Sequence, residues 1–223
     1  MPEPVKIAVA LAYAYLVGSI PTAYLVARWA QGIDIRRYGS GNVGASNVRI
    51  HVGGGPFALV SAFDVLVKGT LSAAIPGWFG LDVGYQVVAG LLAMLGHSWS
   101  VYLRFAGGRG VSVVLGALLV VGRWELAAAL AFVGAATLLY REVALWFAIA
   151  FVALPVLAVV LREPLAVQLF CLAVPLATAL KRVVANPGTA PPGAPWRKLV
   201  LPRLLYDRDT MKGEGWTTRT PPP

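Results

Sequence analysis

The chain has 223 residues, of which 58% are hydrophobic and 13% charged, with a formal net charge of +9 and a mean hydropathy of +0.71. A soluble domain carries about 25% charged residues, so this chain lacks the polar surface to cover itself and the bilayer is its natural solvent. Its basic residues edge the apolar runs, which points to lipid headgroups or phosphorylated substrates and away from nucleic acid.

In chain order, Val5 to Ala27 is the first apolar run and meets the length of about 20 residues that a spanning helix needs. It lacks a clear basic region before it and a small-residue cleavage site after it, so it reads as a span and not a cleaved leader. Pro56 to Trp78, Val83 to Leu103, Gly110 to Val121, Trp124 to Tyr140, Val143 to Leu161 and Leu165 to Ala179 follow. The fourth is short and has to borrow residues from the Gly-rich stretch before it, or enter tilted. Tight turns are expected at Gly122-Arg123, Arg141-Glu142 and Arg162-Glu163-Pro164. The lone cysteine, Cys171, lies inside an apolar run and leaves no intrachain disulfide or cysteine-based metal site.

The expected fold is therefore all-α and polytopic, with about seven transmembrane helices. Seven spans put the ends on opposite sides, and Lys and Arg accumulate on the cytoplasmic one. With the C-terminus inside, the outer segments hold Lys6, Arg123 and Arg162, Lys68 lies within a span, and all other Lys and Arg residues fall inside. The N-terminus is accordingly expected outside. Residues 1–185 form the membrane domain and residues 186–223 a cytoplasmic Pro/Gly-rich basic tail.

The first inside loop reads Gly39-Ser40-Gly41-Asn42-Val43-Gly44-Ala45-Ser46-Asn47. Glycines let a backbone turn sharply and aim several N–H groups at one anion. Ser40, Asn42, Ser46 and Asn47 add short donors, and Arg36, Arg37 and Arg49 add permanent charge. A plain polar linker has no need of Asn alternating with Gly and Ser in this order. The second inside loop carries Gly96-His97-Ser98-Trp99 and then Gly107-Gly108-Arg109-Gly110 ahead of a helix. A helix N-terminus is an anion site, which Arg109 would clamp. The spacing of a Walker A loop is absent, so nucleotide hydrolysis is not indicated. A lone boundary histidine such as His97 is more often a hydrogen-bonded interface residue than a catalyst, but its surroundings raise its standing here. Asp64 and Lys68 lie four apart on one helix face at membrane depth, where ionisable groups are costly and are paired, functional, or both.

Together these stretches resemble the bacterial acyl-phosphate:glycerol-3-phosphate acyltransferases, the PlsY family. Gly18-Ser19-Ile20-Pro21-Thr22-Ala23-Tyr24 running into the Gly39 to Val48 loop carries the first part of the likeness. Asp64 to Gly69 carries the second, and Gly96-His97 through Gly110 the third. The resemblance implies transfer of a fatty acyl group from acyl phosphate to the 1-hydroxyl of glycerol 3-phosphate, giving lysophosphatidate and phosphate. It implies neither metal nor cofactor, and a multi-pass cell-membrane protein working at the cytoplasmic face, expected here as a monomer. It places Ser40, His97 and Arg109 in catalysis. Gly39, Gly41, Asn42, Ser46, Asn47, Arg49, Asp64, Lys68, Gly107, Gly108, Arg182 and Asn186 are the expected substrate contacts.

The chain departs from the family pattern in three places. Arg49 is shifted by one from the usual arginine, and Ala106-Gly107-Gly108-Arg109 replaces Lys-Gly-Gly-Lys. In the third motif Arg182 is followed by Val183 where the family has histidine, and a Pro-rich insertion precedes Arg203-Leu204-Leu205 and Asp207. A catalytically inactive paralogue is thus one alternative. A transporter of a phosphorylated solute is another, though its glycine breaks would sit at mid-membrane in corresponding halves, and here they gather at one face. The H-x-x-x-x-D signature of acyl-CoA-type glycerolipid enzymes is missing, since Tyr102 and Pro56 stand at that spacing from His97 and His51.

Overall fold

The computed structural model describes residues 1–184 and 195–209, and every regular element among them is helical. Helix α1 (Glu3–Ser19) stops because Pro21 disfavours helical backbone at the residue before it, and Ile20 takes up an extended ψ of 119°. The chain resumes at once as α2 (Thr22–Gln31), which closes on Gly32 in the left-handed region. The first expected span is therefore two helices about a proline break, together long and apolar enough to cross a membrane.

Two short helices, α3 (Ala45–His51) and α4 (Gly54–Ala62), follow the first glycine loop. The rod then continues without a break through a π-helical segment, Phe63–Leu71, into α5 (Ser72–Trp78). Segments of π-helix are uncommon and gather at functional sites; this one carries Asp64 and Lys68. Helix α6 (Val83–Ser98) starts at Asp82, whose carboxylate accepts the Gly84 N–H at 2.6 Å.

After the second glycine loop come α7 (Val111–Val121), α8 (Arg123–Leu139), α9 (Val143–Val160) and α10 (Leu165–Val184). Among the described residues, five helical stretches are long and apolar enough to span a bilayer. Of the seven expected spans, the fourth and fifth fall short of that length, with α7 at 11 residues and α8 at 17. At 1.5 Å per residue α7 covers only about 16 Å of a hydrocarbon core of about 30 Å. The Gly-rich stretch does not lengthen it: residues 106–110 remain non-helical and buried. Non-helical backbone near a membrane has to be enclosed by protein, and this loop is.

The core lies where α6, α7, α9 and α10 meet, around Met94, Val113, Leu118, Phe151, Leu154 and Phe170. Small residues set the closest approach. A Cβ on Gly69 of the π-helical segment would run into the Val113 carbonyl and Gly116, and one on Gly116 would meet the Val65 carbonyl. Thr70 Oγ1 spans this seam, donating toward the Val65 and Gly116 carbonyls, each at 3.0 Å. Dispersion and hydrogen bonds across small residues are what hold helices together in lipid, where tails are as apolar as leucine.

Helix α11 (Trp196–Tyr206), in the stretch read as tail, packs on α9 and α10. It is fastened by polar contacts. Arg182 donates to the Leu204 carbonyl at 2.7 Å and the Ala144 carbonyl at 2.8 Å. Arg203 donates to the Val183 carbonyl at 2.9 Å and pairs with Asp209, and Arg208 pairs with Glu142 at 3.0 Å.

Candidate active site

The π-helical segment buries Asp64 and Lys68 almost completely, with 1% of each exposed. Their charges meet at 2.6 Å, so the ion pair expected from their spacing forms. Removing either partner would leave an uncompensated charge in an apolar surround, which is strongly destabilising. Thr22, just past the proline break, donates its hydroxyl to Asp64 at 3.1 Å. His97, from the end of α6, completes the cluster: its Nδ1 lies 3.4 Å from Lys68 Nζ and 3.7 Å from Asp64 Oδ2. An ammonium only donates. With Lys68 charged, Nδ1 accepts and the ring proton sits on Nε2, which lies against Gly108.

The second glycine loop is shaped around that imidazole. Gly108 N–H donates to the His97 carbonyl at 3.0 Å. A Cβ on Gly108 would collide with His97 Nε2 and crowd the Val43 carbonyl, and one on Gly107 would collide with the carbonyls of His97 and Ser98. Arg109 is buried, with 6% exposed. Its Nε donates to Asp207 at 2.5 Å and a terminal nitrogen to the Lys181 carbonyl at 2.9 Å. Gly110 then precedes α7, at whose first N–H groups the sequence leads one to expect an anion. Ser98 Oγ is buried without a partner close to where a Cβ on Gly110 would sit.

The first glycine loop meets the second through one backbone bond, from Val43 N–H to the Gly107 carbonyl at 3.4 Å. Asn47 holds its shape. The Asn47 amide donates to the carbonyls of Ile35, Tyr38 and Asn42 at 3.0–3.1 Å, while its Oδ1 is buried without a partner. Gly39 has φ 51°, and a Cβ there would collide with Asn47 Oδ1 and His51 Nε2. Burial pushes the His51 imidazole below its usual pKa of 6.5. Ser40 Oγ accepts the Asn42 N–H at 3.3 Å, and Asn42 Oδ1 is another buried oxygen without a partner. Asp34 binds Arg36 through 2.7–3.2 Å contacts, and that hydrogen bonding holds its carboxyl below the usual range.

The expected contacts thus divide. Gly107 and Gly108 lie against His97, which contacts Lys68 and Asp64, and Val43 ties the first loop to them. Ser40, Asn42 and Asn47 bond within the first loop, and Arg109 bonds Asp207 and the Lys181 carbonyl. Ser46 and Arg49 are exposed on α3, where the Arg49 guanidinium lies 5.4 Å from the Phe57 ring. Arg182 gives its terminal nitrogens to two carbonyls. Asn186 falls outside the described residues. Three further side chains join the neighbourhood. Thr22 reaches Asp64, Lys181 lies over the Trp99 ring at 5.1 Å, and Asp207 binds Arg109. The break before Thr22 was legible from Pro21; the pairing of Arg109 with Asp207 spans 98 residues and leaves no local signal.

Comparison with known proteins gives one consistent result. Residues 8–185 match the glycerol-3-phosphate acyltransferase family. Glycerol-3-phosphate acyltransferase 5 of Dehalococcoides mccartyi is 37% identical over 215 residues, covering 94% of this chain and 91% of that protein. Glycerol-3-phosphate acyltransferase 2 of Moorella thermoacetica is 41% identical over 72% of this chain and 82% of its own length. A second Dehalococcoides mccartyi relative, glycerol-3-phosphate acyltransferase 4, reaches 57% identity over 107 residues, where the chain spans 45% of that relative's length. Among solved structures, the integral membrane glycerol 3-phosphate acyltransferase PlsY in its glycerol 3-phosphate form superposes with a TM-score of 0.73 at 29% identity. That likeness covers 79% of this chain and 88% of the other.

Proposed function

This chain belongs to the glycerol-3-phosphate acyltransferase family, and from that premise we propose that it moves a fatty acyl group from acyl phosphate to the 1-hydroxyl of glycerol 3-phosphate. The observation that carries the reading is the joining of the two glycine loops, Val43 N–H to the Gly107 carbonyl, beside the Asp64–Lys68–His97 cluster. Two loops rich in N–H and amide donors suit two phosphorylated substrates held side by side.

Acyl phosphate is already activated, so the protein's work is positioning and stabilising charge. The glycerol hydroxyl oxygen attacks the acyl carbonyl carbon, and the bond from that carbon to the phosphate oxygen breaks. The hydroxyl proton leaves to an oxygen of the departing phosphate. Lysophosphatidate and inorganic phosphate result. With its Nδ1 accepting from Lys68, His97 carries its ring proton on Nε2 and acts as a donor to the substrates, which leaves the base role to phosphate. Arg109 and the N–H groups opening α7 stabilise the phosphate of the donor. Asn42 and Ser40 serve the second phosphate, with Asn47 shaping the loop that presents them. The bias of Lys and Arg supports a site on the cytoplasmic face, and a monomer is the proposed working unit.

The test is turnover by the purified protein in lipid, with palmitoyl phosphate and labelled glycerol 3-phosphate. Lysophosphatidate and phosphate should appear in equal amounts, and palmitoyl-CoA should not replace the donor. Substrate binding without product would favour an inactive paralogue, and product from palmitoyl-CoA alone would overturn the donor assignment.

A further inference from the structure

The first glycine loop opens with a tight turn over residues 38–41, closed by the Gly41 N–H on the Tyr38 carbonyl at 2.9 Å. Gly39, with φ 51°, and Ser40 are its central residues. Helix α3 clasps this turn. Asn47 and His51 lie four apart on α3 and so share one of its faces. The Asn47 amide donates to the Tyr38 carbonyl at 3.0 Å. The His51 ring packs on the Tyr38 ring, with centroids 5.5 Å apart and planes tilted by 58°. Gly39 fits beneath both side chains: the point its Cβ would occupy lies 2.5 Å from Asn47 Oδ1 and 2.6 Å from His51 Nε2.

These two atoms, against the same glycine, are each buried without a hydrogen-bond partner among the described residues. A buried polar group costs free energy until it is paired. The Asn47 amide cannot turn over, because its nitrogen serves the Ile35, Tyr38 and Asn42 carbonyls, and an oxygen in that place would face three acceptors. Its Oδ1 is therefore fixed as an acceptor. Burial lowers the His51 pKa and keeps the imidazole neutral, so the ring carries one N–H. That proton serves the amide oxygen only from Nε2.

We propose that His51 is a positioning residue of the candidate site: it donates its Nε2 proton to Asn47 Oδ1 and so locks the clasp on the turn that presents Ser40. It acts through Asn47 and not on the reacting atoms. The consequence for substrate rests on the acyltransferase reading; the hydrogen bond itself does not.

Two measurements test it on the full-length protein. The chain has two histidines, so isotopic labelling of the histidine nitrogens for NMR gives two imidazoles, told apart with His51→Gln. The His51 proton should sit on Nε2. Asn47→Ala should shift the resonance of that nitrogen, and Arg49→Ala, an exposed change on the same helix, should not. A proton on Nδ1, or equal shifts in both variants, overturns the bond. Kinetics in lipid then read its use. His51→Leu should raise the KM for glycerol 3-phosphate by about fivefold, the size of one hydrogen bond, with kcat changed far less. His51→Gln keeps an N–H donor and should restore most of the loss. An unchanged KM in His51→Leu, or a glutamine as damaging as the leucine, overturns the positioning role. If His51→Leu does not fold, His51→Gln is compared with His51→Glu, which offers Oδ1 only another acceptor, and equal KM values overturn the role. If the protein turns over no acyl phosphate, the labelled imidazole still reads the hydrogen bond, so failure of the activity and failure of the bond are separable.

Discussion

The two glycine-rich loops meet at one hydrogen bond, yet they are held in shape by different means. The first, around residues 39–47, depends on side chains: one asparagine amide gathers three carbonyls, and Asp34 ties up Arg36 beside it. Arg49 and Ser46 stay outside. The second, residues 106–110, is shaped by backbone pressed on backbone, with the carbonyls of His97 and Ser98 where any Cβ would go, and its one cation is buried. A loop held by side chains tolerates repacking, whereas a loop defined by the absence of side chains tolerates none. On the proposed reading, the second loop fixes the geometry of the reaction and the first adapts around it.

The sharpest way to break that contrast is Gly108→Ala. The new methyl group must displace His97 Nε2 or the Val43 carbonyl, and misplacement on the scale of 1 Å costs about 100-fold in rate. The expected result is a loss of kcat of at least about 100-fold with the protein still folded, read by phosphate release and thermal denaturation in detergent. Near-normal turnover would show that the close approach is dispensable.

Arginines compare the loops directly. Arg109→Ala removes a buried donor beside the anion seat and is expected to lower kcat by about 100- to 1000-fold, the range seen for loss of a charge-stabilising donor. Arg49→Ala removes an exposed group resting on Phe57, an interaction worth about 0.5–1 kcal/mol, and should leave kcat/KM within about threefold. Equal effects in a side-by-side kinetic assay would erase the distinction between a buried catalytic arginine and a surface one.

Asn47→Ala is expected to act mainly on stability and substrate binding. Three hydrogen bonds disappear at about 1 kcal/mol each, so the thermal midpoint should fall and the KM for glycerol 3-phosphate should rise about tenfold. Its kcat should change far less than that of Gly108→Ala. A fall in kcat matching Gly108→Ala would mean that the first loop is as rigid a part of the machinery as the second.

Much of this molecule was legible before its structure. Asp64 and Lys68 announced themselves by being charged inside an apolar run, and the glycine loops by their composition. What escaped the sequence had long reach or depended on backbone geometry. Helix periodicity gave no sign that Phe63–Leu71 winds as a π-helix. Span counting expected α7 to draw on the glycines before it, but those glycines are needed unwound against His97. The tail read as a basic extension, yet Arg203 and Arg208 pair with Asp209 and Glu142, and α11 packs on α9 and α10.

The sequence by itself determined the solvent, the helices and the loops that carry phosphate chemistry, because hydropathy and glycine content act locally along the chain. Only the tertiary structure decided which partner each of the buried cations found. Arg109 finds Asp207 and the Lys181 carbonyl, Lys68 shares Asp64 with Thr22 and His97, and Arg182 gives its terminal nitrogens to the Leu204 and Ala144 carbonyls. Those outcomes depend on residues far apart in the chain meeting within hydrogen-bond distance, and local sequence does not encode that meeting.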